Sequence, residues 1–292
     1  ASSRITYQIG QDSAHNGTAF FNNTGSGDWI SGVNNVTVSG NTGDGQKHFK
    51  LTNYGGVFEG TNIVNDRLMY IDFGDVGLAD WRVMDIRGGT GIEIDHISAK
   101  ITQMAADAFS YADFSGTTWD QNSFHDSTVL LPNNGSGGGP DGLQAWSGGV
   151  SIYNNTITGY QAAYTGGQHQ DGWQSTGGAD AYVKIYNNTF TNLANYAVFA
   201  DGYYGGFNHL WVYNNLVVLN SSTLDNSDPP AGIVMGPDGG ALLATTPFND
   251  IVLANNTVMD YVYGCNQSLP CGQGRTSVGL GNIASHAATF SN

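Results

Sequence analysis

Charge is scarce in this 292-residue chain: 11% of its residues are charged, against about 25% in an ordinary domain. Nine Lys and Arg stand against 24 Asp and Glu, leaving a net charge of −15. Phosphate neutralisation needs basic residues, so a nucleic-acid partner is excluded. Binding to an anionic membrane surface is disfavoured for the same reason. No run of 18 apolar residues occurs, so no bilayer-spanning helix is expected. Glu, Lys and Leu are too sparse at helical spacing to build long helices. The only cysteines, Cys265 and Cys271, lie close together in "GCNQSLPCGQG". A local disulfide in an extracellular protein is the expectation, with free thiols as the alternative. No signal peptide is visible, and the opening "ASSRITYQIG" reads like the start of a processed, secreted chain. Zinc-spaced His/Cys clusters, a phosphate-binding glycine loop before a helix and a G-x-S-x-G elbow are also missing.

What is present is glycine (42 residues), asparagine, and a 40% hydrophobic fraction rich in aromatics. That is too apolar for disorder, and the glycine has no collagen period. A repeat organises the chain. "SIYNNTITGY" begins at Ser151, "KIYNNTFTNL" at Lys184, "WVYNNLVVLN" at Trp211 and "VLANNTVMDY" at Val252. The Asn pairs start at Asn154, Asn187, Asn214 and Asn255, with spacings of 33, 27 and 41. Weaker copies begin at Gly32, Gly91 and Trp119. Each copy reads as a short strand, a tight Asn-Asn turn and a second short strand. Repeats of this length built from β-branched strands and Asn/Gly turns predict a solenoid, and they exclude helical repeats. The irregular spacing fits a parallel β-helix, whose coils carry loops of variable length on one face. Asparagine tolerates the left-handed turn geometry, and stacked Asn side chains can hydrogen-bond along the axis.

The "IYNNT" coils resemble the right-handed parallel β-helix superfamily that includes pectate lyases and polygalacturonases. The resemblance implies an all-β, single-stranded solenoid of one domain over residues 1–292. Coils are expected over roughly 32–261, with an N-terminal cap at 1–31 and a C-terminal segment at 262–292. Fold alone does not select a chemistry.

A second series runs through Asp107, Asp141, Asp171, Asp201 and Asp238, with steps of 34, 30 and 30 across the first four. Four of the five are Asp-Gly. If they occupy equivalent points, they stack at about 4.8 Å per coil, and repulsion raises the pKa of some. Carboxyls about 5 Å apart serve a retaining glycosidase and about 6.5–9.5 Å an inverting one. Asp141, Asp171 and Asp201 are therefore the expected acid and base. They are similar to the three-aspartate cluster of polygalacturonase-type hydrolases, although His-Gln-Asp stands here where that family has Asn-Thr-Asp. The competing reading is that Asp-Gly is only a turn.

The flanks extend the candidate site. In "GGQHQDGWQSTGG", His169, Asp171 and Trp173 share one face of a regular strand; a bulge at Gly172 would instead turn Trp173 inward and Gln174 outward. "DGLQ" at Asp141 repeats "DGWQ" at Asp171, adding Gln144 and Trp146. Tyr203, Tyr204 and His209 in "DGYYGGFNH" are further substrate-binding candidates, with Asp107 upstream.

The expected function is a secreted glycoside hydrolase acting on a polysaccharide, with no required cofactor. The shortage of positive charge favours a neutral glycan. The first alternative is a Ca²⁺-assisted polysaccharide lyase, with Ca²⁺ at Asp141, Asp171 and Asp201 and Arg82 or Arg87 near the uronate. The second is a glycan-binding module without turnover. Ice or surface binding needs a regular Thr array, which Leu216 interrupts.

Overall fold

The structure, a computed structural model, describes residues 3–15, 17–22, 28–52, 56–77, 84–103, 108–112, 118–131, 141–146, 148–159, 170–175, 181–193, 196–201, 207–220, 231–235, 249–261, 278–280 and 288–291. These residues form an all-β parallel solenoid. The chain visits three sheets in turn, and every strand pairs in parallel with the equivalent strand one coil away. The first sheet has ten described strands, from Ile5–Gln8 to Ala288–Ser291. The second has nine, from Ala19–Asn22 to Thr257–Tyr261, and the third nine, from Asp28–Ser31 to Val278–Leu280. The described strands within 1–31 and 262–292 pair with the same sheets. Among the described residues no helix is long and apolar enough to cross a membrane.

Strict alternation explains the packing. In the first sheet Ile94, Phe124, Ile152, Ile185 and Val212 are register partners and stack as one buried column. Val129, Ile157, Phe190 and Val217 do the same in the second sheet. Leu143, Trp173, Val198 and Ile233 do so in the third. One residue in two points inward, so three short strands per coil line a single axial core.

The Asn pairs form the corner between the first and second sheets rather than a hairpin. The first Asn of each pair takes a left-handed backbone, with φ of 56° at Asn154, 54° at Asn187, 55° at Asn214 and 53° at Asn255. The second Asn turns inward. Asn155 Nδ2 donates to Asn188 Oδ1 at 3.0 Å, Asn188 Nδ2 to Asn215 Oδ1 at 3.1 Å, and Asn215 Nδ2 to Asn256 Oδ1 at 2.9 Å. Each acceptor also takes the backbone N–H of the preceding Asn in the series, and each amide also donates to a carbonyl one coil back, as Asn188 does to Ile152. The corner therefore buries polar backbone with its hydrogen bonds satisfied.

Candidate functional site

Asp141 and Asp171 occupy equivalent points at the entry to third-sheet strands Leu143–Trp146 and Trp173–Ser175. Their side chains do not line an open cleft. Asp141 is 2% and Asp171 0% exposed. Asp141 Oδ1 accepts the Asp171 N–H at 2.9 Å, and Asp171 Oδ1 accepts the Tyr196 N–H at 2.8 Å. Each carboxylate braces the backbone of the next coil.

Asp201 departs from the expected register. Trp173 pairs with Val198 and Ser175 with Ala200, so the register places Tyr196 opposite Asp171. Asp201 lies five residues further along the strand, roughly 16 Å at the usual rise per residue, beyond the reach of a carboxyl pair. The three aspartates therefore do not converge on an acid–base centre or a Ca²⁺ site. The inward alternative holds for Trp173, which is fully buried and packs near Phe207 at a ring separation of 6.2 Å. It is a core residue and not a sugar platform. His169, Tyr203, Tyr204, Asp107, the Trp146 side chain and both cysteines lie outside the described residues.

Gln144 and Gln174 do meet, with Gln144 Nε2 donating to Gln174 Oε1 at 3.4 Å. They belong to the outward column of the third sheet. In register order that column is Glu59, Asp85, Ser110, Gln144, Gln174 and Phe199. Ser110 and Gln174 are buried although they face away from the core. Glu59 and Asp85 are direct partners on adjacent strands, so their backbones lie about 4.8 Å apart. Arg87 donates to Asp85 Oδ2 through Nε at 3.1 Å and Nη2 at 2.9 Å. Glu59 and Asp85 escaped notice in the sequence because no Asn or Asp-Gly repeat marks their coils.

The outward face of the first sheet carries a second polar group. Arg67 Nε lies 2.7 Å from Asp95 Oδ2 and 3.4 Å from Glu93 Oε2. His125 stands between Glu93 (3.3 Å) and Asp126 (2.7 Å). Burial alone would lower the His125 pKa, but its bonds to Glu93 and Asp126 outweigh that and raise it. The bond to His125 holds Glu93 below the usual carboxylate range, against the opposing effect of burial. Glu93, Asp95 and His125 could each offer a ligand atom to a cation, all within 4.8 Å. Arg67 already pairs with both carboxylates and Arg4 with Glu93, so an ion-pair network is the better description. From His125 onward a row of stacked rings follows: Tyr153 at 4.5 Å, Tyr186 at 4.9 Å and Tyr213 at 4.9 Å. The tyrosine of "IYNNT" and "VYNNL" was the sequence signal for this row. Because the faces cover each other, the rings serve packing and leave no face for a ligand between them.

His209 lies at the corner entering the first sheet, beside Trp119 and Tyr182, and Trp119 in turn packs on Trp211. Its Nδ1 is 2.5 Å from Asp250 Oδ2.

No family model matches this chain, and no curated protein matches it. Among solved structures it is similar to a mutant tailspike protein of E. coli bacteriophage HK620 in complex with a pentasaccharide. The TM-score is 0.53 at 10% identity, over 90% of this chain and 45% of the tailspike. The chain thus spans under half the length of that protein. A catalytic domain of a GH87 α-1,3-glucanase in complex with nigerose aligns at a TM-score of 0.21 and 11% identity, over 97% of this chain and 63% of that one. The tailspike match supports the parallel solenoid fold.

Proposed function

We propose that this chain is a secreted, carbohydrate-active enzyme that hydrolyses a neutral polysaccharide held along the outward face of the third sheet. The observation that carries this reading is the register column Glu59–Asp85–Ser110–Gln144–Gln174. It puts two carboxyls at one end of a polar row spanning about 19 Å, four strand spacings. Ser110 and Gln174 are buried, while Glu59, Asp85 and Gln144 are partly exposed, and the Gln144 amide suits the hydroxyls of an uncharged sugar chain. The adjacent-strand spacing of Glu59 and Asp85 approximates the roughly 5 Å separation used in double displacement. In that scheme one carboxyl protonates the leaving oxygen and the other attacks the anomeric carbon; water then releases the sugar. The pentasaccharide held by the tailspike is in keeping with an oligosaccharide partner.

The test is a reducing-end assay over a neutral polysaccharide panel. Glu59→Gln and Asp85→Asn should each abolish turnover while the protein stays folded. Full activity in both would remove the hydrolytic assignment. Arg87, a cation on the same face, favours one rival, β-elimination on a uronate polymer. That reaction would announce itself by ultraviolet absorbance of an unsaturated product and loss of activity with a chelator. Binding without turnover would leave a glycan-binding module.

A further inference from the structure

The corner from the third sheet into the first holds an aromatic cluster that the hydrolytic reading does not use. Trp119 lies 4.4 Å from Trp211 at 44°, 5.1 Å from Tyr182 at 88° and 6.0 Å from His209. Tyr182 and His209 stack at 4.4 Å. None of these rings belongs to the buried core, and each is partly exposed on the outside of the solenoid. Unlike the Tyr153–Tyr186–Tyr213 row, which stacks face to face, Trp119 meets Trp211 and Tyr182 at steep angles, 44° and 88°, which leaves ring surface for a ligand.

The backbone fixes where these rings stand. The corner requires a left-handed residue, supplied in register by Asn65, Gly91 and Gly149 on earlier coils. On the next coils the same point is held by Tyr182 and His209, both at φ 62°. Bulky side chains are rare at such angles. Tyr70 and His96 show the same backbone and stacking at the corner between the first and second sheets. The angle thus holds the rings in place, and the partly exposed Trp pair distinguishes this corner.

The rim carries charged groups, each with a hydrogen-bond partner. Lys184 Nζ bonds Asp120 at 2.7 Å and lies 4.9 Å over the Trp119 ring. Asp250 Oδ2 is bonded by His209 Nδ1 and by Trp211 Nε1 at 3.4 Å. His209 Nε2 has no partner among the described residues, and His209 is 27% and Asp250 40% exposed. Among the described residues each charged group of this rim has a partner, while the rings and the His209 Nε2 suit a sugar's apolar face and a hydroxyl.

We propose that this corner is a second glycan-binding site, which takes a neutral sugar ring against Trp119 and Trp211 and a sugar hydroxyl at His209. The proposal rests on the carbohydrate reading above but not on its catalytic residues. Trp211 sits four strand spacings along the axis from the coil of Asp85 and Glu93, about 19 Å away. Long chains would reach both places and short ones only one.

The test is calorimetric binding and turnover of a size series of neutral gluco-, manno- and galacto-oligosaccharides, in wild type, Trp119→Ala and His209→Ala, with Tm as the folding control. The wild type should bind long members better than short ones. Each variant should lose about tenfold in affinity for long members, with short-member turnover unchanged. Asp85→Asn should stop turnover and leave that binding intact. Cleavage with unaltered binding in both folded corner variants overturns the corner site and spares the hydrolase. Binding lost in the corner variants without any wild-type turnover supports the corner site and removes the hydrolase. No binding by any member overturns the corner proposal. If Trp119→Ala unfolds, His209→Ala decides alone.

Discussion

The Asp141 carboxylate accepts the backbone N–H of Asp171 at 2.9 Å, one coil further along the axis. Asp171 repeats the gesture toward Tyr196. A dipeptide that looks like a catalytic rung or a plain turn is thus a brace between coils. The glycines that follow serve the same contact. A Cβ at Gly142 would stand 2.6 Å from the Gly172 carbonyl oxygen, and one at Gly172 would stand 2.4 Å from the Phe190 ring. Close approach of neighbouring coils, not a left-handed turn, requires glycine there.

The brace predicts a contrast between two substitutions. Asp171→Asn keeps an acceptor for the Tyr196 N–H and should retain turnover with a small change in Tm. Asp171→Ala removes the carboxylate acceptor of the Tyr196 N–H and should cost about 1–3 kcal/mol. Denaturant unfolding and the reducing-end assay check both. Lost turnover in a fully stable Asp171→Asn protein would return the acid–base role to Asp171.

The asparagine corner predicts a larger loss. Asn188→Ala removes the acceptor of the Asn155 N–H and the donor to the Ile152 carbonyl, and it breaks two side-chain bonds. Several buried groups lose partners together, so unfolding free energy should fall by about 2–4 kcal/mol. A change below about 0.5 kcal/mol, the scale of surface substitutions, would deny the corner its structural role.

Asp66 predicts a gain. Burial raises its pKa, only partly offset by the Val36 N–H that Oδ1 accepts at 2.8 Å, and Oδ2 is buried without a partner among the described residues. A carboxyl raised on folding costs stability above its folded pKa and none below the ordinary 3.8. Asp66→Asn keeps the acceptor and removes the charge. It should unfold at higher temperature than wild type at neutral pH, and the difference should vanish in acid.

The His125 network predicts a pH window. The raised His125 pKa contributes stability that is complete below 6.5 and disappears as pH rises through its folded value. Glu93 and Asp126, both lowered, contribute above 4.5 and 3.8 respectively, and lose that contribution as pH falls through their folded values. Tm should therefore decline on the alkaline side in wild type and be flatter there in His125→Gln. Parallel curves would show that the imidazole does not titrate against folding.

How much of this was written in the sequence follows from what spacing encodes. The Asn pairs repeat because this corner of every coil needs a left-handed residue and an inward amide, so the solenoid was legible from "IYNNT" alone. Asp141 and Asp171 were correctly read as equivalent, since their coils differ by 30 residues in both sequence and register. Asp201 also follows at 30, yet the third-sheet register advances by 25 there, and a count of residues does not reveal that slip. Nor does a count reveal which way a side chain turns. Trp173 inward and Gln174 outward, Asp171 bonded to backbone, Glu59 beside Asp85, and Trp119 against Trp211 are outcomes of register between coils. The sequence by itself determined the period, the sheet-forming strands and the polar, acidic character of the surface. Only the tertiary structure decided which residues share a face, because in a solenoid the neighbours of a side chain lie one coil away, not along the chain.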